Sequence, residues 1–96
     1  MSRVGDEITR VCREVENVLL AKNAVYGNSA LDPLRVFSQA DAVEQLKVRI
    51  DDKISRLVRG DEHVSLAGEA REDTLVDLVG YLILLLVAQR LAREAA

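Results

Sequence analysis

Apolar positions recur at three- and four-residue steps along most of this chain, the period of a helix with one buried face. In the first segment Val4, Ile8, Val11, Cys12, Val15, Val18 and Leu19 form one stripe. Asp6 stands where it can cap that helix. Gly27 can stop it, because glycine tolerates the left-handed conformation past a helix end. A second stripe of Val43, Leu46, Ile50, Ile54 and Leu57 follows the capping pattern Ser38-x-x-Asp41 and is closed by Gly60. Between the two, "LDPLRVF" reads as a short helical turn, with Asp32 as cap and Pro33 at the first helical position. "GDEHVSLAG" reads as a loop, and a third helix should run from about Glu69 into the mid-nineties.

That third segment differs from the others. Its middle, "LVGYLILLLVA", is apolar on every side: Leu75, Leu78, Leu82 and Leu85 on one face, Val76, Leu84 and Val87 on another. A helix apolar all round is normally buried all round. Two neighbours of this size do not cover it, so the pattern predicts a partner subunit against it. The expected fold is therefore all-α. It is a single domain over residues 1–96, with three long helices and one short helical turn, completed by homo-oligomerisation (dimer or tetramer) through the C-terminal helix. The apolar run by itself is shorter than the roughly twenty residues a bilayer span requires, so no membrane partner is expected. The start of the chain lacks a charged-then-apolar leader pattern.

Composition narrows the function classes. A chain of 96 residues buries a limited share of its surface, which again favours self-association. Aromatics are only Tyr26, Phe37 and Tyr81, so Leu, Val and Ala carry the core and favour helices over a sandwich. The net charge of −3 and the absence of a long basic run argue against a broad footprint on duplex nucleic acid. Cys12 is the single cysteine, so there is no disulfide framework and a reducing, cytoplasmic location is expected. Its spacing from Ile8 and Val15 predicts a core thiol. His63, alone in a loop, reads as a surface residue. One histidine and one cysteine cannot build a nucleophilic triad or a zinc site. No glycine-rich phosphate loop is present.

Candidate chemistry sits in two places. Glu69, Asp73 and Asp77 stand four residues apart and so share one side of the last helix. The next positions on that line are Gly80, Leu84 and Val87, so the acids point partly toward the buried stripe. Carboxylates in that direction need neutralising. Arg49, Lys53 and Arg56 lie on one flank of the second helix, with Asp52 beside them. Interhelical salt bridges are one reading. The other is a divalent cation held by the acids, Mg²⁺ because every donor is oxygen, with the bases facing a substrate's phosphates. The second place is "AKNAVYGNSALDP". Asn23, Gly27 and Asn28 suit turns, but Lys22, Asn23 and Tyr26 also share one helix end. They could present an ammonium, an amide and a phenol to a nucleotide.

Three segments, "KNAVYGNSA", "RIDDKISRL" and "EAREDTLVDLVGY", resemble in order the motifs of the nucleotide modification associated domain (type 1) family, small all-α proteins common in phage genomes. The likeness spans Lys22 to about Tyr81. The family usually has an acid before the tyrosine of the first motif, where this chain has Val25. A more distant likeness is to the MazG-like all-α NTP pyrophosphohydrolases, which hold Mg²⁺ beside a nucleoside triphosphate with acids on two helices. That likeness is one of fold and chemistry class. Here Glu69-x-x-Glu72 falls on the same helix as Asp73 and Asp77, and Asp41-x-x-Glu44 lies at a helix start.

The resemblance implies a link to nucleotide or DNA-base modification; taken with the acids and bases above, the expectation is a nucleotide-binding helical protein, in its enzymatic form a Mg²⁺-dependent phosphohydrolase of a dNTP or modified nucleotide. Glu69, Asp73 and Asp77 would be the metal and catalytic residues, supported by Glu72 or Asp52. Lys22, Arg49, Lys53 and Arg56 would bind phosphates, and Asn23, Tyr26 and Asn28 base or sugar. Two alternatives stay open: a non-catalytic binder that sequesters a nucleotide or nucleotide signal, and a phage protein-interaction module acting on a host protein in the host cytoplasm.

Overall fold

Helical periodicity becomes three α-helices: α1 over Arg3–Tyr26, α2 over Ala42–Val58 and α3 over Val64–Ala95. The computed structural model describes residues 2–27, 30–33, 35–59 and 64–95, with only the helical path for residues 26 and 64–70. No strand occurs among the described residues, so the fold is all-α as the pattern predicts.

The helix ends depart from expectation for local reasons. α1 starts before Asp6, because Ser2 is its cap: the Ser2 Oγ accepts from the Gly5 N–H at 3.0 Å. Asp6 falls instead in the first turn, where a negative charge favours the positive end of the helix dipole. Gly27 closes α1 at φ 62°, as a glycine stop should. For α2 the cap is Asp41, whose Oδ1 accepts from the Glu44 N–H at 2.8 Å. Ser38 takes another role, accepting from the Ala40 N–H at 3.1 Å.

The helical turn expected over "LDPLRVF" is absent from the described residues of the connector. Arg35 Nε and Gln45 Nε2 both donate to the Ala40 carbonyl, at 3.1 and 2.8 Å, and Pro33 is buried. α2 ends at Val58, where the Arg59 N–H donates to the Ser55 carbonyl at 3.1 Å. Gly60 and His63 lie outside the described residues. α3 begins at Val64, so the second half of "GDEHVSLAG" is helix rather than loop. Once a long helix exists, each added residue gains a backbone bond, and one glycine costs only about 1 kcal/mol.

Packing is uneven. α2 lies along α3, whereas α1 meets the rest of the fold at a short crossing with α3. At that crossing Gly80 is buried, and a β-carbon there would stand 3.3 Å from Leu19 Cδ2. The missing side chain is what lets the two helices approach. Among the described residues the buried apolar side chains are Val15, Leu46 and Ile50. Leu46 and Ile50 come from the centre of the α2 stripe. Ile54, further along it, is exposed.

The α1 stripe is buried only in its second half. Val15 is 3% exposed, but Val4, Ile8 and Val11 are 69%, 60% and 48% exposed. Cys12 is exposed too, so it is not a core thiol. The reason is geometric: this half of α1 runs past the α2–α3 pair and packs on no other described helix. The radius of gyration is accordingly 15.5 Å, against about 12.5 Å for a compact chain of this length.

α3 is left half-covered, with Leu75, Leu82, Leu86 and Leu91 all exposed. Its apolar stretch is also longer than "LVGYLILLLVA". By length and composition alone Arg71–Ala95, at mean hydropathy 1.9, is enough to cross a membrane. That stretch is longer than the run itself because apolar residues continue past the single charges, Asp77 and Arg90, on either side of it. The same helix receives an ion pair from α2 and packs its glycine on α1.

Candidate functional site: a cleft where three helices meet

The α1–α3 crossing and the middle of α2 enclose a cleft of about 210 Å³. Its apolar wall is Val15 and Leu19 of α1 with Val76 and Leu84 of α3. Polar side chains enter from all three helices: Lys22 and Asn23 from the end of α1, Arg49 from α2, Asp77 and Tyr81 from α3. The placement follows from sequence spacing. Lys22 stands three residues after Leu19 and seven after Val15, so it extends their face. Arg49 is adjacent to the buried Ile50 and comes off the flank of the α2 stripe. Asp77 and Tyr81 are one turn apart on α3.

One ion pair ties the site together. Lys53 Nζ lies 3.1 Å from Asp77 Oδ2, with side chains 13% and 40% exposed respectively. The lysine stem is covered by apolar surface while its ammonium reaches the carboxylate. Because Asp77 is substantially hydrated, the pair contributes at most about 1 kcal/mol to stability. It matters more for position: it fixes the Asp77 carboxylate at the junction of α2 and α3.

The structure thus brings Lys22, Asn23, Arg49 and Asp77 into one cleft, with Lys53 bonded to Asp77 at its edge. Arg56 does not line it; Arg56 pairs with Asp52 at 3.2 Å along its own helix, both exposed. Arg56 and Asp52 thus face solvent together, outside the residues that line the cleft. Asp73 is exposed, one turn before Asp77. The side chains of Glu69 and Tyr26 lie outside the described residues, as does Asn28. Among the described residues no group of three acids, histidines or cysteines is placed to hold a metal ion.

Tyr81 joins the site although neither periodicity nor charge singles it out. Its signal is its place one turn after Asp77, at the end of the third segment quoted above. Gly80 is the other addition: it shapes the cleft by admitting Leu19. Against known proteins, the chain matches no family model, no curated protein and no solved structure.

Proposed function

We propose that this cleft binds a phosphorylated small molecule of the nucleotide type. One observation carries the reading: Lys22 and Arg49, from different helices, line the same apolar-walled cleft as Asn23 and Tyr81. A guanidinium offers a paired fork to phosphate oxygens and an ammonium a point charge. Asn23 and Tyr81 supply an amide and a phenol for sugar or base, with Tyr26 and Asn28 in the same role. The cleft is smaller than the roughly 300 Å³ at the low end of small-molecule sites. It suits phosphate and part of a sugar, with the base resting over the rim at Gly27 and Ala30.

The donor chemistry is compatible with Mg²⁺. That ion commonly takes one or two protein carboxylates and completes its shell with water and substrate phosphates. Asp77 and Asp73 would supply the carboxylates, joined in the hydrolase reading by Glu69. When bound, the ion would neutralise phosphate charge. The chain's own part is to orient the phosphates with Lys22 and Arg49 and to hold the Asp77 carboxylate through Lys53. A second reading, binding without cleavage, is favoured by that same tie, because Asp77 already has a cationic partner. Self-association through α3, a cytoplasmic setting and a link to phage nucleotide modification belong to this proposal as well.

A thermal-shift panel of nucleotides, with and without Mg²⁺, tests it. At least one nucleotide should raise Tm, and the double variant Lys22→Ala/Arg49→Ala should lose that shift while keeping its helicity. No shift for any nucleotide at millimolar concentration sinks the reading. Product analysis on the best ligand then separates hydrolysis from sequestration.

A further inference from the structure

The surface of the chain is too large for a molecule of its mass. The accessible area is 7706 Å² at 10.6 kDa. A compact monomer of that mass exposes roughly 5,500 Å², so the excess is about 2,200 Å² per chain. If two chains each hid that much, the buried total would fall in the range of obligate homodimers, about 2,000–5,000 Å².

Part of the excess lies on two half-helices. Val4, Ile8 and Val11 continue the stripe whose inner member, Val15, is buried. A shallow apolar groove runs along this part of α1, bordered by Arg3 and Glu7. The matching surface is the second half of α3, where Leu82, Leu86 and Leu91 are exposed. The two lengths agree. Val4 lies eleven residues before Val15, and Leu91 lies eleven after Gly80 at the helix crossing. Eleven residues of helix span ~16 Å in each case.

We infer that the N-terminal half of α1 packs on the C-terminal half of α3 in a second copy of this chain, and reciprocally. The inference rests on the self-association reading and names its surfaces; it does not depend on nucleotide binding. Such an exchange is self-complementary, as a two-fold interface must be. Charge favours this occupant over a lipid surface. Residues 3–14 carry Arg3, Arg10 and Arg13 against Asp6, Glu7 and Glu14, whereas interfacial helices display a basic polar face. Arg10 is moreover engaged by Glu7. Balanced charge leaves no repulsion between two copies.

Sedimentation velocity at micromolar concentration tests this, with maleimide labelling of Cys12 as a local reporter. The wild-type chain should run at the mass of two chains. Ile8→Arg and Leu86→Arg should each give one chain of 10.6 kDa with unchanged helicity. Cys12, exposed in the single chain, should label at least about tenfold more slowly in the dimer than in the Ile8→Arg variant. A dimer broken by Leu86→Arg but not by Ile8→Arg overturns the exchange of α1 while leaving self-association through α3 intact. A wild-type monomer overturns both. Monomeric chain that floats with phosphatidylcholine vesicles, and loses that property in Leu86→Arg, assigns the face to lipid and also overturns the inference.

Discussion

The two halves of α1 carry the same apolar period and meet opposite fates. Val15 and Leu19 press against α3 and help form the wall of a cleft, while Val4 and Ile8, on the same stripe, lie open to water. Periodicity tells which face of a helix is apolar. It does not tell which neighbour covers that face, or whether the neighbour belongs to the same chain. The difference lies in the reach of the partner helices, and α1 is longer than the surface against which it crosses.

Substitutions at matched positions sharpen that contrast. The largest effect should come from the covered side. Leu46→Ala removes a side chain that is 1% exposed, and should cost about 3 kcal/mol in urea unfolding, since truncated core leucines lose both transfer energy and packing. Ile8→Ala should cost less than about 0.5 kcal/mol in the dissociated chain, the usual size for an exposed position. Equal costs at the two sites in dilute protein would erase the distinction between covered and open stripe.

Next in size is Gly80→Val. A branched side chain at the crossing collides with Leu19, and overpacking of this kind costs about 1–3 kcal/mol. The same change should abolish any nucleotide-induced Tm shift, because the helices that bound the cleft are forced apart. Retention of that shift would mean that ligand binding does not use the crossing.

Asp41→Ala should lower stability by about 1 kcal/mol through the lost cap on α2, read by chemical denaturation. Smaller than the cap effect is Lys53→Met. Asp77 keeps substantial contact with water, so the loss should stay below about 1 kcal/mol. Its signature is salt dependence: the wild-type advantage should shrink as ionic strength rises. A larger, salt-insensitive loss would place Asp77 in a drier setting than its exposure indicates.

Much of the fold was legible because helical period is a local property. The α1 stop at Gly27 and the burial of Leu46 and Ile50 follow from neighbours in sequence, whereas the α2 cap falls on Asp41 rather than on Ser38. The Lys53–Asp77 pair was legible as one of two readings of opposed charge on facing helices. What could not be read was non-local. Arg56 shares a flank with Lys53, yet it lies one turn beyond the cleft and closes on Asp52. Cys12 has the spacing of a core residue but lies outside the helix crossing. Tyr81 enters the site only because α1 crosses α3 at Gly80, and a crossing point is set by tertiary packing.

Gly27 lines the cleft with a backbone φ of 62° and ψ of −144°, and no atom lies within 4 Å of where its β-carbon would be. Room is not the constraint there; torsion is. Almost any other residue would twist the chain's exit from α1 and swing the following segment elsewhere. A single hydrogen side chain thereby sets the direction in which the chain leaves α1 beside the cleft. The loss of freedom at that torsion is incurred while the chain folds, so under the binding proposal a ligand would not have to supply it.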